Sequence, residues 1–178
     1  MKQPSQNFEN LHGMKIHQWI GTEMAVDIGP PVVWTDDSIK YLQLFDLDIH
    51  FSDNTLEHFV SRLDEDCNYY GFHKEQAESP LVSIDAEDSD FLRIRTLPEL
   101  PVGVIDQVEY DQDDHKQITA LTIYVESRAV KLWSGFIDCV DDQFKIIKPE
   151  DFILIKVEEV YPGFYSGAQK AAPAEKQR

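Results

Sequence analysis

Apolar and polar residues alternate with a period of two through much of this chain, the pattern of strands with one buried and one solvated face. The longest such run lies between Val104 and Val157. It divides into VIDQVEY, ITALTIYV, AVKLW, FIDCV, QFKII and FILIKV, separated by acidic turns, and predicts an antiparallel meander. Upstream, Met14 to Ile20 alternates and is expected to end at Gly21, and Phe91 to Arg95 alternates again. Between them, Tyr41 to Phe51 sends Leu47, Ile49 and Phe51 one way and Asp46, Asp48 and His50 the other. Pro30-Pro31 argues against a helix before Val32, and Thr35 to Ser38 reads as a turn. The fold class is therefore mainly β with little helix: an antiparallel meander forming a sandwich, a roll or a partly open barrel.

Hairpin registers follow from matching apolar faces across each turn. A two-residue turn at Asp53-Asn54 predicts Phe51 opposite Leu56 and Leu47 opposite Val60. This register sends His50 and His58 to different faces. Asp46, Asp48, His50 and His58 are then a solvated strand face rather than a metal cluster. A turn at Asp141-Asp142 predicts Cys139 opposite Phe144 and Ile137 opposite Ile146, with Asp138 across from Lys145. A turn near Ser127-Arg128 predicts Val125 opposite Val130, and places Tyr124 beside Lys131 and Thr122 beside Trp133. Ser-Arg is a poor two-residue turn by local preference. Phe152 and Leu154 oppose Ile153, Ile155 and Val157, which suits burial on both faces, and Gly135 marks a bend or bulge.

The 178 residues fit one domain. Residues 1–13 read as a flexible lead-in, 14–165 as a single β-rich domain with halves at 14–97 and 102–165 joined across Pro98 and Pro101, and 166–178 as a disordered tail. Cys67 and Cys139 fit no metal or redox spacing, and Cys139 is expected as a buried thiol. The N-terminus lacks the apolar core of a secretory signal, and no run approaches the length of a membrane span, so a cytoplasmic location is expected.

Charge changes the picture most. Asp and Glu number 33 against 16 Lys and Arg, a net of −17, which repels phosphate backbones and anionic membranes and leaves a basic protein partner, a cation or simple solubility as its use. The densest acidic tract, residues 64–90, interleaves carboxylates with aromatics. Asp64, Glu65, Asp66, Tyr69, Tyr70, Asp85, Glu87 and Asp88 are candidate partner-binding residues, because aromatics supply contact area while carboxylates steer a basic partner. Tyr124 and Trp133, on the outer face of the meander, form the second candidate surface. No nucleophile elbow, phosphate loop, HExxH or CxxC occurs, so no catalytic residue, metal site or cofactor is expected.

The acidic hairpin turn, the strand containing Ile123-Tyr124-Val125, the stretch KLWSG at 131–135 and the closing PEDFILIKV at 149–157 together resemble small β-rich immunity proteins of bacterial polymorphic or contact-dependent toxin systems. The resemblance spans about residues 36–157 and implies a cytoplasmic, non-catalytic protein that binds and neutralises a cognate toxin domain. It carries over no shared catalytic residue. The other reading of the same sequence is a β-barrel that binds a small ligand, or an enzyme of similar shape.

Overall fold

Among the described residues, eleven strands follow one 3₁₀ turn, Glu9–Leu11: β1 (Lys15–Met24), β2 (Leu42–Phe51), β3 (Leu56–Leu63), β4 (Tyr69–Glu75), β5 (Leu92–Thr96), β6 (Gly103–Gln112), β7 (Ile118–Val125), β8 (Arg128–Ser134), β9 (Phe136–Val140), β10 (Gln143–Ile147) and β11 (Ile153–Glu159). This computed structural model describes residues 8–26, 31–63, 69–75, 80–81, 91–140 and 143–160. Every strand pairing is antiparallel. Strands β1, β2, β11, β8, β7 and β6 pair in that order, and β6 returns to β1, so the expected meander closes into a six-stranded barrel. Both halves of the sequence contribute strands to the one ring. The β3–β4 hairpin extends from β2, β5 extends from β1, and β9–β10 stands as a separate two-stranded sheet.

Bulges decide which side chains reach the barrel interior. In β1 the register shifts between Ile16 and Gln18, so His17 is the extra residue and both Ile16 and Trp19 point inward. Simple alternation from Met14 places these two on opposite faces. The strand also runs past Gly21 to Met24, and a Cβ at Gly21 would lie 2.8 Å from a Leu44 methyl. Glycine here lets the β2 side chain lie against the β1 backbone. A second shift, at Phe45 of β2, turns both Leu44 and Leu47 inward.

The lead-in is not wholly peripheral. Phe8 and Leu11 are completely buried, and Phe8 stacks on Phe59, which stacks on Phe72, across the mouth of the barrel. Phe8 and Leu11 therefore belong to the core and not to a flexible lead-in, because these two apolar residues bury more favourably than they solvate. Trp19 is 1% exposed, and its indole N–H donates to the Pro101 carbonyl at 2.7 Å, fixing the Leu97–Pro101 connection. On the outside of the ring, Leu154 packs with Val26 and Ile137, so β11 is buried on both faces as its sequence predicts.

Two turn expectations are revised. The β2–β3 turn contains three residues, Ser52 to Asn54, closed by a Phe51 N–H to Thr55 carbonyl bond, with Asn54 at φ 67. Asn tolerates this left-handed conformation, and the longer turn moves the register by one residue. The β7–β8 turn is Glu126-Ser127, with Glu126 at φ 56, so Val125 faces Arg128 and Ile123 faces Val130. That two-residue shift preserves which side chains share a face. The β9–β10 register is as expected, with Phe144 opposite Cys139 and Ile146 opposite Ile137, but the hairpin lies outside the ring and Cys139 is exposed rather than buried. Asp141, Asp142, Cys67 and the tail 166–178 lie outside the described residues.

Trp19→Ala is expected to lower unfolding stability by about 3–5 kcal/mol, since it empties the largest buried side chain and strands the Pro101 carbonyl. Urea unfolding measures this. A loss below about 1 kcal/mol would mean that the core collapses around the gap.

Candidate functional site

The outer face of the meander is a regular grid. Reading across β6, β7, β8 and β11, one row is Gln107, Tyr124, Ala129 and Glu158; the next is Glu109, Thr122, Lys131 and Lys156; the third is Asp111, Ala120, Trp133 and Leu154. Because strand side chains alternate, all twelve share one face. The small residues Ala120, Thr122 and Ala129 lie between the two aromatics. A shallow depression of about 260 Å³ results, bounded by Glu109, Asp111, Thr122, Tyr124, Lys131 and Trp133.

Both aromatics are held by neighbours. Tyr124 donates its hydroxyl proton to Glu109 at 2.9 Å, and Gln107 donates its amide to the other oxygen of the same carboxylate at 2.7 Å. Trp133 meets Tyr41 edge to face at 5.6 Å, and the Lys148 ammonium sits 4.5 Å above its ring. Burial lowers the Lys148 pKa. Across the face, Lys131 and Lys156 both bind Glu158, at 2.6 and 2.7 Å, and their hydrogen bonds hold the Glu158 carboxyl below its ordinary range. The charges are therefore matched on the β8–β11 side, while the β6 side carries Asp106, Glu109 and Asp111 against no lysine or arginine of its own strand.

Of the residues singled out from sequence, Tyr124 and Trp133 come together on this grid. Asp64, Glu65, Asp66, Asp85, Glu87 and Asp88 lie outside the described residues, as do the side chains of Tyr69 and Tyr70, whose backbone belongs to β4. Two polar clusters depart from expectation, the first because Asp48 is buried against His58 where a solvated strand face is expected. On β2 and β3 the revised register sets Asp48 directly opposite His58. His58 Nδ1 lies 2.6 Å from Asp48 Oδ1, the Leu81 N–H donates to Oδ2 at 2.7 Å, and Asp48 is fully buried. His50 Nε2 is 3.8 Å from Oδ2, beyond hydrogen-bond reach. On β1 and β5, buried Glu23 accepts from Arg93 at 2.5 Å and Arg95 at 2.8 Å; Arg95 also binds Glu99, and Arg93 stacks on Trp34 at 4.4 Å. The hydrogen bond to Glu23 raises the Arg95 pKa further.

Chemically the Asp48 centre is a lock. Both carboxylate oxygens are occupied by protein donors, one from β3 and one from the chain at Leu81, which pins that segment over the outer face of β2. Among the described residues no group of three or more His, Cys, Asp or Glu is arranged to hold a metal ion, and no helix is long and apolar enough to cross a membrane. In the sequence the lock is signalled by the grouping of Asp48 with His58 and by the left-handed tendency of Asn54, which lengthens the turn and shifts the register.

The lock titrates. Its hydrogen bond to Asp48 raises the His58 pKa against the opposing effect of burial, with added attraction from the Asp48, Asp46 and Glu75 charges. The folded protein thus holds this proton more tightly than the unfolded chain, whose value is near 6.5. Its stabilising effect is complete below that pH and is lost as pH rises through the higher folded value. Thermal melts from pH 6 to 9 are expected to show this decline, and His58→Gln to flatten it. Parallel profiles for the two proteins would show that the imidazole does not contribute.

No protein-family model matches this chain, and neither a curated protein nor a solved structure matches it.

Proposed function

We propose that this protein is a non-catalytic binding module whose outer barrel face engages a basic protein domain, and that the partner is a cognate toxin which it neutralises in the cytoplasm. The observation that carries this reading is the grid itself. Tyr124 and Trp133 stand on adjacent paired strands, oriented by Glu109, Tyr41 and Lys148, with small side chains between them and, along one border, carboxylates that meet no lysine or arginine among the described residues. Aromatic anchors that are already fixed lose little conformational freedom on binding, which leaves more of the contact energy for affinity.

Charge supports the same partner class. A net of −17 accelerates encounter with a cationic domain and disfavours acidic competitors. The barrel interior also favours an external site, since it is filled by buried side chains from all six ring strands, among them Trp19, Leu47, Ile105, Leu121, Leu132 and Ile155. The resemblance to immunity proteins in the stretches around Ile123–Val125, Lys131–Gly135 and Pro149–Val157 narrows the basic partner to a toxin domain.

The product of the neighbouring reading frame is the partner to test, by co-expression for rescue of growth and by titration of the purified proteins. Thr122→Arg, which places a bulky cation at the centre of the face, is expected to weaken the complex about tenfold or more while leaving the thermal midpoint nearly unchanged. Raising salt from 50 to 500 mM is expected to slow association with little effect on dissociation. Absence of both growth rescue and a salt-sensitive complex on a sizing column would end the proposal.

A further inference from the structure

We infer that β6 accepts an extended segment of the binding partner as an added strand, along its open flank between Asp106 and Gln112, and that this segment alternates basic with apolar side chains. The inference rests on the binding reading above and specifies how the partner is held. β6 is ten residues long, and β7 covers one of its flanks as far as Gln112. On the other flank, β1 pairs only at Val104 and Gly103, and Gly13 and Met14 close the ladder at Ile105. There the preceding chain leaves the sheet, because the Glu9–Leu11 turn and Phe8 fold into the barrel mouth, where Phe8 lies 6.4 Å from the Tyr110 ring. Among the described residues no strand pairs with that flank beyond Ile105; the Glu9–Leu11 turn lies against β6 without joining its ladder, so about 20 Å of ladder is left without a strand partner. Backbone donors and acceptors alternate in direction along a strand, so about half of those in this stretch point toward the open side. Such an edge is a template for β-augmentation.

Its side chains select the occupant. From Gly103 to Asp114 the chain carries Asp106, Glu109, Asp111, Asp113 and Asp114 and no lysine or arginine. A second copy of the same edge would set carboxylates beside carboxylates, which disfavours self-pairing. A strand bearing lysine or arginine on the grid side would place them next to Glu109 and Asp111, where the matched Lys131 and Lys156 offer no competition. Its other face would meet Val108 and Tyr110, which pair with the buried residues Ile123 and Leu121. Tyr110 is 44% exposed, a large apolar ring on an otherwise acidic edge. Acidity alone suffices to protect an edge from self-association. The alternation of acid with apolar surface along β6 adds a pattern that a basic-apolar strand matches.

The test uses the whole chain and a capped heptapeptide of alternating lysine and valine, followed by amide NMR and hydrogen exchange. Expected are shifts centred on residues 106–112 and slowing of alternate β6 amides by about tenfold or more at saturation. Glu109→Lys with Asp111→Lys is expected to weaken binding about tenfold, a glutamate-valine heptapeptide not to bind, and a central proline in the lysine peptide to abolish the amide protection. Binding of the lysine peptide without slowed β6 amides, or equal protection from the proline version, would overturn strand addition. So would a toxin complex that protects the grid and leaves the β6 amides exchanging freely, although the functional reading would then stand. If the peptide behaves as expected and no toxin domain binds, the functional reading falls and the strand acceptor remains.

Discussion

Closure of the ring depends on two extra residues. A strand that alternated without interruption would carry Ile16 and Trp19 to opposite faces, and the barrel would lose either its largest core side chain or the apolar residue at its β6 seam. The bulge at His17 turns both inward, and the bulge at Phe45 does the same for Leu44 and Leu47 on the facing strand. Bulges increase local twist and bend the strand, which a six-stranded sheet requires if it is to meet itself. Trp19 then joins packing to connectivity: its ring fills the interior while its N–H holds the carbonyl of Pro101, immediately before the strand that completes the ring.

The polar clusters outside the core extend this scaffold. Glu23 lies on the inward-facing side of β1, yet at 1% exposure it meets two guanidinium groups from β5, so its charge is matched where solvent is excluded. Asp48 lies on the opposite side of β2 and takes donors from β3 and from Leu81. Ser61 and Ser134 bond to each other and to the Glu150 carbonyl, tying β3 and β8 to the approach of β11. Each cluster secures an added element to the ring by hydrogen bonds whose partners are far apart in sequence. Removing one member of such a buried set strands its partner, so these clusters give the molecule a defined arrangement more than a large net stability.

How much of this was legible in the sequence varied with how locally each feature is determined. Alternation placed most of the strands, although β4 lies in the acidic tract that read as a binding surface, and the β9–β10 register followed from apolar matching across Asp141-Asp142. The double-sided burial of β11 was equally visible, as was the Tyr124 and Trp133 face, because a two-residue register error preserves parity. A one-residue error does not. The Asp53-Asn54 turn was read as two residues when Asn54 enters the left-handed region and lengthens it, and that single dihedral angle separates a solvated strand face from a buried Asp48–His58 lock. Bulges were illegible for the same reason: nothing in KIHQWI marks His17 as the extra residue until β2 is in place beside it. The position of β9–β10 outside the ring was hidden because a strand's partners depend on the whole closure and not on its own composition.

The surface divides along the same lines. Strands β8 and β11 pair along their lengths, and there cations and anions are matched within the face, as Lys131, Lys156 and Glu158 show. β6 loses its β1 partner beyond Ile105, and there the carboxylates accumulate with no cation from the same strand. The divergence of β1 from β6 frees both strands at once. β1 turns to pair with β5 and secures the Glu23 cluster, while the chain before it folds inward as the Phe8 plug. Among the described residues, an acidic β6 flank without a strand partner is thus the geometric consequence of closing a barrel with a strand that must also serve β5. The mixed aromatic and acidic face lies directly beside that flank, so a partner reaching one is positioned to reach the other.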